Sequence, residues 1–263
     1  MRFLLLCALL LIPLPLAAAE KCPVPRSLTF QPQGEIRRDT PGFTEGLEVQ
    51  DGAIYESTGD LFGDTRINRI DPKTGHVAAV MNAGKAYFGE GITFFGGKLY
   101  QMTYREHRVF VFDQNMRRLP ELSNPREGWG LTHDENQLIA SDGSSRLYFL
   151  SPQDFRARRV LTVFDQDREV RNLNELEYVR GAIWANIFEN WSVIRISPVT
   201  GCVEARADLT PLRALMSAAD RRTIDSDDNF VPNGIAYSPA SGLFTVTGKY
   251  WPMLFTGRFL EAN

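Results

Sequence analysis

Short runs of alternating apolar and polar residues, separated by tight-turn sequences, recur along the chain and predict β-strands rather than helices. In the clearest case, the run 45–49 leads into an Asp-Gly turn and the run 53–58 continues after it, which predicts a β-hairpin. A third run, 66–70, and a fourth, 76–82, flank a second turn with the sequence DPKTG. The pattern therefore predicts four consecutive short strands.

This four-strand pattern returns along the chain, and a short motif marks the start of each copy. FTEGL at 43–47 reappears as FGEGI at 88–92, and weaker copies are GWGLT at 128–132, LNELE at 173–177 and PNGIA at 232–236. The motifs give one equivalent position per copy, with spacings of 45, 39, 45 and 59 residues, occupied by Glu45, Glu90, Trp129, Asn174 and Asn233. A repeat of about 40–50 residues made of short strands is typical of β-propeller blades.

These repeats predict an all-β fold, a five-bladed β-propeller. The last repeat ends one outer strand short, and the extended segment 27–38 is predicted to supply that strand, because an uncovered sheet edge invites pairing with other chains. The longest spacing, before the fifth motif, contains Thr210-Pro211 and an Ala/Leu-rich stretch that ends at Ala219. This composition predicts a short helical insertion between blades 4 and 5.

The amino-terminal residues have the composition of a secretory signal peptide. A basic start is followed by the apolar run 4–16 and by three alanines that match a cleavage site before Glu20. The run is too short for a membrane-spanning helix. We therefore expect a signal peptide at 1–19, a single propeller domain at 20–263, and a secreted or periplasmic protein that is not membrane-bound after cleavage. In that compartment Cys22 and Cys202 form either a disulfide or two buried thiols, and the sequence leaves both open.

Composition limits the partners and the chemistry. The formal net charge of −3 gives no reason to expect nucleic acid or an anionic membrane as a partner. His76, His107 and His133 are isolated and lack metal-ligand spacing, so no catalytic metal and no cofactor are predicted. The sequence has no GxSxG motif, so it gives no support for covalent catalysis. The acidic run 225–228 is interpreted as a solvated loop or, alternatively, a cation site.

The innermost strand of each propeller blade lines the central channel, so the five equivalent residues are predicted to meet at one mouth of it. Two carboxyls, two amides and an indole would then face a common space. Alternatively, such residues only hold ordered water, and for Asn233, between Pro232 and Gly234, a structural role in a turn is preferred. Glu175 and Glu177, beside the equivalent position of the fourth motif, are predicted to pair with arginines.

Taken together, FTEGLE, FGEGIT, GWGLT, NELEY followed by WANIF, PNGIAY and TGKYW resemble motifs of the plant and bacterial glutaminyl-peptide cyclotransferases. The resemblance covers nearly all of the chain after the predicted signal peptide. It implies a five-bladed propeller that converts the amino-terminal glutamine of peptides or proteins into pyroglutamate, releases ammonia and uses no zinc. Residues 20–263 are then the catalytic domain. Its partners are peptides or proteins with amino-terminal glutamine, and we expect a monomer.

The resemblance also implies roles for individual residues. Glu90 matches the family's catalytic glutamate, and Asn174 and Lys249 match its polar substrate-binding residues; all three are assigned to the catalytic group. The residues predicted to bind or frame the substrate are Phe43, Glu45, Phe88, Trp129, Phe188 and Trp251. Two of these positions depart from the plant members, which often carry glutamine at position 45 and tend to carry tryptophan at position 188.

The reaction itself suits these residue types. The α-amine of the substrate must attack its own side-chain amide carbon, so the enzyme mainly folds one residue into a ring-like shape, and aromatic walls suit that task. A proton must then pass from the attacking nitrogen to the departing ammonia, and a carboxyl whose pKa is raised by an apolar pocket can carry it. Glu90 is assigned that role. Lys249, Asn174 or the Trp129 indole can stabilise the developing oxyanion, and the sequence does not choose among them.

Two other functions are compatible with the sequence. One is a metal-dependent propeller lactonase or esterase, in which Glu45, Glu90, Asn174 and Asn233 would supply oxygen ligands to a divalent cation. The other is a non-catalytic binding propeller, because the same fold hosts unrelated functions. Activity that a chelator abolishes would favour the first, and absence of turnover of Gln-initiated peptides would favour the second.

Overall fold

The computed structural model describes residues 21–60 and 64–262. The predicted signal peptide, 1–19, lies outside these ranges. The described chain folds mostly into β-strands with little helix, which confirms the coarser part of the all-β prediction, that β-strands dominate the fold. Within the same ranges, no helix is long and apolar enough to cross a membrane.

After an amino-terminal strand, β1 (Arg26–Arg37), the described chain forms three four-stranded antiparallel sheets. Their strands, in both chain order and spatial order, are β2 (Thr44–Gln50), β3 (Ala53–Thr58), β4 (Thr65–Ile70) and β5 (Val77–Gly84); β6 (Gly89–Phe95), β7 (Lys98–Thr103), β8 (Arg108–Phe112) and β9 (Leu122–Ser123); and β10 (Leu131–His133), β11 (Leu138–Ser141), β12 (Arg146–Leu150) and β13 (Ala157–Thr162). A short hairpin that the hydrophobic pattern did not predict, β14 (Phe164–Asp165) and β15 (Arg168–Glu169), follows the third sheet.

The remaining strands of the described chain form one eight-stranded sheet around β1. These strands are β16 (Leu173–Val179), β17 (Ala182–Ile187), β18 (Ser192–Ile196), β19 (Val203–Asp208), β20 (Pro232–Ser238), β21 (Leu243–Gly248) and β22 (Met253–Glu261). Their spatial order is β16-β17-β18-β19-β1-β22-β21-β20. Because β1 pairs antiparallel with β22 and parallel with β19, the amino-terminal strand covers the edge that the last repeat would leave open.

The predicted helical insertion lies between β19 and β20, but it consists of two short helices rather than one. A 3₁₀ helix (Thr210–Leu215) precedes α1 (Ala218–Ile224), and the extended backbone at Ser217 separates them. The Ser217 hydroxyl caps α1 by accepting the Asp220 N–H at 3.1 Å. Asp220 also forms an ion pair with Arg37 at 2.8 Å, which attaches the insertion to the end of β1.

Covalent and apolar contacts hold the two ends of the chain together. Of the two alternatives for the cysteines, the structure has the disulfide, which joins Cys22, before β1, to Cys202, before β19. Trp184 of β17 stacks on Phe259 of β22 with 4.7 Å between ring centroids, and Phe30 of β1 packs on the same phenylalanine at 5.0 Å. Aromatic packing therefore supports the pairing of β1 with its neighbours, in addition to the backbone hydrogen bonds.

The strands at the repeated motifs, called here the inner strands, lie side by side in a closed ring, in the order β2, β6, β10, β16 and β20, with β20 again beside β2. Glycines of the repeated motif permit this close approach. A Cβ atom at Gly46 would lie 2.7 Å from the backbone nitrogen of Ile92, and one at Gly91 or Gly130 would collide with the backbone of the next inner strand. These positions exclude a side chain because the neighbouring backbone occupies its place.

The fourth motif carries Glu175 where the others carry glycine, and its buried carboxylate spans the ring. It accepts hydrogen bonds from the backbone N–H groups of Leu47 at 3.1 Å and Ile235 at 2.7 Å. Glu177 accepts the Tyr237 N–H at 2.7 Å. The predicted arginine pairs do not form in the described residues, because backbone donors of the neighbouring inner strands satisfy these carboxylates instead.

We expect Gly91→Ala to lower the free energy of unfolding by about 1–3 kcal/mol, because the added methyl group would collide with the backbone of Leu131. The matched control is Gly96→Asn. Gly96 has a positive φ and open space around its Cβ position, a conformation that asparagine tolerates. Urea titration measures the stability of both variants. Equal stability of Gly91→Ala and the unmodified protein would contradict the steric explanation.

Glu48 of β2 is expected to make stability depend on pH. Burial raises its pKa from 4.5 to about 8, although Thr93 donates it a hydrogen bond at 3.0 Å. The folded state therefore retains a proton that the unfolded chain releases, so this contribution to stability is fully present below pH 4.5 and is lost as the pH rises towards 8. In Glu48→Gln the decline of the unfolding free energy over this interval should be shallower. Urea titrations at several pH values test this, and an unchanged pH dependence would rule it out.

Candidate active site

The inner strands break their regular register at the same position of the repeated motif. The pairing shifts between Thr44 and Gly46 in β2, and similar irregularities in β6, β16 and β20 surround the equivalent residues. Such bulges free a residue from the hydrogen-bond ladder and redirect its side chain. The irregularities include Glu45, Glu90, Asn174 and Asn233, while Trp129 lies two residues before β10. Four of the five motifs therefore each redirect one side chain.

A cavity of about 540 Å³ lies where these side chains meet. Its lining comprises Phe43, Glu45, Asp60, Phe88, Glu90, Tyr104, Trp129, Asn174, Phe188, Asp227, Asn229, Phe230, Lys249 and Tyr250. All of the predicted site residues except Trp251 are among them. The size falls within the range of about 300–1,000 Å³ that is usual for small-molecule sites.

Trp251 was predicted to frame this cavity, but it lies in the apolar core. Its indole N–H donates to the Phe230 carbonyl at 2.9 Å, and its ring packs on Trp191 at 5.1 Å between centroids. Tyr250 lines the cavity instead. The positive φ of Tyr250, 55°, reverses the chain between the two rings, so neighbouring residues contribute to different surfaces.

Aromatic rings form most of the wall. Phe43 lies 5.4 Å from Tyr250, 6.1 Å from Phe88 and 6.5 Å from Phe230, measured between ring centroids. On another side, Trp129 and Phe188 meet edge to face at 5.7 Å. These contacts surround the polar residues with apolar surface, which lowers the local dielectric and strengthens electrostatic interactions between them.

Several lining residues were missed by the sequence analysis because they lie outside the repeated motif. Asp227, Asn229 and Phe230 come from the segment after α1, where the acidic run had been assigned to a solvated loop or a cation site. Part of that run does lie at the surface, since Asp225 pairs with Arg213 at 2.7 Å. The remaining missed residues are Asp60, Tyr104 and Tyr250. Of these, only Tyr250 stood inside a quoted motif, TGKYW.

Tyr250 is fixed at the cavity wall by two hydrogen bonds. Its backbone N–H donates to the Gly42 carbonyl at 2.8 Å, and its hydroxyl donates to Asp60 at 3.1 Å. Burial, followed by the neighbouring Asp60, raises the pKa of Tyr250 to about 12. The phenol therefore stays protonated at neutral pH.

Lys249 and Glu45 form a buried ion pair at the base of the cavity. The Lys249 Nζ donates to Glu45 Oε1 at 2.7 Å, and the Asn233 side-chain amide donates to Glu45 Oε2 at 2.9 Å. The ammonium group also lies over the rings of Phe43, at 4.5 Å, and Phe188, at 4.9 Å. Burial raises the pKa of Glu45, and Lys249 opposes that rise. In this geometry the Glu45 carboxylate and the Lys249 ammonium group cancel each other's charge.

Glu90 is the other buried carboxyl that lines the cavity. Burial raises its pKa well above the ordinary value, and the Glu45 carboxylate adds to the rise, which Lys249 opposes. A carboxyl in these surroundings holds its proton more firmly than an exposed glutamate does. It is therefore able to donate a proton to a bound group and to take one back.

Two buried polar atoms of the lining have no hydrogen-bond partner among the described residues. They are the indole nitrogen of Trp129, a donor, and the side-chain oxygen of Asn174, an acceptor. Leaving such atoms unpaired costs about 1–3 kcal/mol each. A ligand with one acceptor and one donor at the matching places would recover that free energy.

The described residues contain no group of three or more histidine, cysteine, aspartate or glutamate side chains arranged to hold a metal ion. Asn233, expected to have a structural role, does tie inner strands together, since its amide also donates to the Thr44 carbonyl at 3.0 Å. The cavity thus combines a buried carboxyl with a raised pKa, a lysine paired with a glutamate, and two unpaired polar atoms within aromatic walls.

These features define a mostly-β protein with a buried acid–base site at one mouth of a ring of strands. The sequence pattern of the family described as glutamine cyclotransferase matches residues 5–259. The glutaminyl-peptide cyclotransferase of Arabidopsis thaliana is 34% identical over 232 residues, which cover 87% of this chain and 71% of the plant protein. The crystal structure of Myxococcus xanthus glutaminyl cyclase superposes with a TM-score of 0.78 at 30% identity, over 91% of this chain and 100% of that chain. The chain belongs to the glutamine cyclotransferase family.

Proposed function

We propose that this chain is a glutaminyl-peptide cyclotransferase, which converts the amino-terminal glutamine of peptides or proteins into pyroglutamate and releases ammonia. Family membership supports the reaction class. The observation that carries the proposal is the cavity itself, where a buried Glu90 with a raised pKa stands among aromatic walls with an unpaired donor and an unpaired acceptor. A folded glutamine residue offers the partners that those atoms lack.

The architecture proposed with this function is a five-bladed propeller in a single catalytic domain, 20–263. The closed ring of inner strands supports it, with the eight-stranded sheet interpreted as two blades joined at β1. The disulfide between Cys22 and Cys202 supports a secreted or periplasmic location, because disulfides persist in oxidising compartments. A signal peptide at 1–19 belongs to the same proposal.

The first task of the cavity is to hold the substrate glutamine in a bent conformer. Phe43, Phe88 and Phe188 supply flat apolar walls, so the side-chain amide carbon is pressed towards the α-amine. The unpaired Asn174 oxygen suits the α-amine, because it can accept one of the amine hydrogens and leave the nitrogen lone pair directed at the amide carbon.

Attack of the neutral amine forms a C–N bond and pushes the carbonyl electrons onto oxygen. The unpaired Trp129 N–H and the remaining hydrogens of the Lys249 ammonium group are the donors proposed for that oxyanion. Glu90 gives its proton to the departing nitrogen and takes one from the newly formed ring nitrogen. The carbonyl then re-forms, the C–N bond to the old amide breaks, ammonia leaves, and Glu90 ends in its starting state.

The lactonase alternative is disfavoured by the surroundings of Glu45. A divalent cation would need carboxylate oxygens free of positive partners, but Glu45 already holds the Lys249 ammonium at 2.7 Å. That ammonium group would repel a cation bound between Glu45 and Glu90. We propose that catalysis needs no metal.

Ammonia release from a Gln-initiated dipeptide, with and without excess EDTA, tests the proposed reaction. We expect turnover that the chelator leaves unchanged, because Glu90 and the polar atoms around it supply the acid and the donors. Activity lost in EDTA and regained with a divalent cation would overturn metal independence. No ammonia in either condition would overturn the cyclotransferase assignment.

Glu90→Gln should lower kcat by at least about 100-fold, the usual contribution of a positioned acid–base group, because glutamine cannot exchange the proton. The control is Glu121→Gln, which removes a glutamate that pairs with Arg108 and Arg118 outside the cavity. Its kcat should match the unmodified enzyme. Steady-state ammonia release measures both, with circular dichroism to show that the fold is retained. Near-normal turnover by Glu90→Gln would remove Glu90 from the mechanism.

A further inference from the structure

Glu45 does not present a free carboxylate to the cavity. Both of its oxygens already accept hydrogen bonds from the protein, Oε1 from Lys249 at 2.7 Å and Oε2 from the Asn233 amide at 2.9 Å. Its side chain is 2% exposed. Although the position was predicted to bind substrate, the geometry directs this carboxylate at Lys249 rather than at the open space.

Holding Lys249 is a demanding task, because a lysine side chain has four flexible carbons and a compact charge. Two ring faces, at 4.5 Å for Phe43 and 4.9 Å for Phe188, restrict its sideways movement. Those rings attract a cation from any direction above their faces, so they do not fix the distance between the ammonium group and Glu90. The hydrogen bond to Glu45 fixes the position of the ammonium group.

Glu45 also determines the charge that Glu90 faces. The charged and titratable groups around Glu90 are Glu45, Lys249, Glu106, Glu127 and Tyr104, and Arg105 pairs with Glu127 at 2.8 Å. Lys249 is the one cation among those that act on Glu90 directly, and Glu45 neutralises it. With Glu45 uncharged, the ammonium group would face Glu90 without a counter-ion and would favour loss of the Glu90 proton.

We propose that Glu45 is a positioning residue that acts through Lys249: it fixes the ammonium group in place and cancels its charge, so that Glu90 does not face an unpaired cation. This inference rests on the proposed function for its catalytic meaning. The effect of Glu45 on the ionisation of Glu90, however, is a property of the substrate-free protein. It can be measured without turnover.

The direct test is a titration of Glu90 in substrate-free protein. Infrared spectra of protein with ¹³C-labelled glutamate carboxyls are recorded against pH, and subtraction of the matching Glu90→Gln spectra isolates Glu90. We expect Glu45→Gln, which keeps the shape and removes the charge, to lower the Glu90 midpoint by about one pH unit or more, equivalent to a tenfold change in its ionisation equilibrium. An unchanged midpoint in folded Glu45→Gln would overturn the proposal.

Two further variants distinguish charge from structure. In Glu45→Gln/Lys249→Met the counter-ion and the cation are both absent, so the Glu90 midpoint should return towards that of the unmodified protein. The control Glu48→Gln removes another buried carboxyl, one that is bonded to Thr93 rather than to Lys249, and should leave the midpoint in place. A midpoint that stays low in the double variant, or that falls equally in Glu48→Gln, would show a general structural disturbance and overturn the proposal.

The kinetic consequence appears in the pH dependence of kcat/KM, which reports ionisations of the free enzyme. Loss of the Glu90 proton sets the alkaline limb, so this limb should move to lower pH in Glu45→Gln by the same interval as the titration midpoint of the substrate-free protein. A higher KM with an unmoved alkaline limb would mean that Glu45 only contacts substrate, and would overturn the proposal. Absence of ammonia release from the unmodified protein would instead reject the proposed function, while the spectroscopic result would still decide the role of Glu45.

Discussion

The close approach of the inner strands is the constraint on which the rest of the structure depends. Gly46, Gly91 and Gly130 have no room for a side chain because the next inner strand occupies that space. Beside Gly46 and Gly91 the regular strand pairing is interrupted, and the side chain before each of these glycines lines the cavity. The segments that close the ring therefore also carry the side chains of the cavity.

The repeated motif brings its equivalent positions to the cavity, and the different side chains at these positions give the site its chemistry. Equivalent positions carry a carboxylate that binds Lys249, a second buried carboxyl, an indole, and amides. Glu45 and Glu90 occupy identical places in the repeat, yet Glu45 lies 2.7 Å from an ammonium group and Glu90 forms no ion pair with it in the described residues. Two glutamates of the same motif thus have different electrostatic surroundings because their neighbours differ. Where Glu175 replaces glycine, the repeat instead contributes a carboxylate that joins three inner strands.

Much of the fold follows from local patterning, because turn motifs and alternation fix where strands begin and end. The motif spacing was sufficient to bring Glu45, Glu90, Trp129 and Asn174 together, whereas Lys249 and Phe188 entered through resemblance to a family. Trp251 lies in the core and not at the cavity where it was predicted, because the positive φ at Tyr250 that turns the chain cannot be recognised from the residue type. Phe230 and Asp227 were missed because their path depends on how the helical insertion packs, which is a tertiary contact without a local signal. For the same reason, one helix was predicted where the structure has two.

A crystal structure of the Glu90→Gln variant with a Gln-initiated dipeptide tests the central claim, that the unpaired atoms of the cavity hold the substrate glutamine in a bent conformer. The account predicts the side-chain carbonyl oxygen within hydrogen-bonding distance of the Trp129 indole nitrogen or of Lys249. It also predicts the α-amine on the Asn174 side-chain oxygen and the amide nitrogen beside residue 90. A dipeptide bound with an extended glutamine, or bound outside the cavity, would contradict the account.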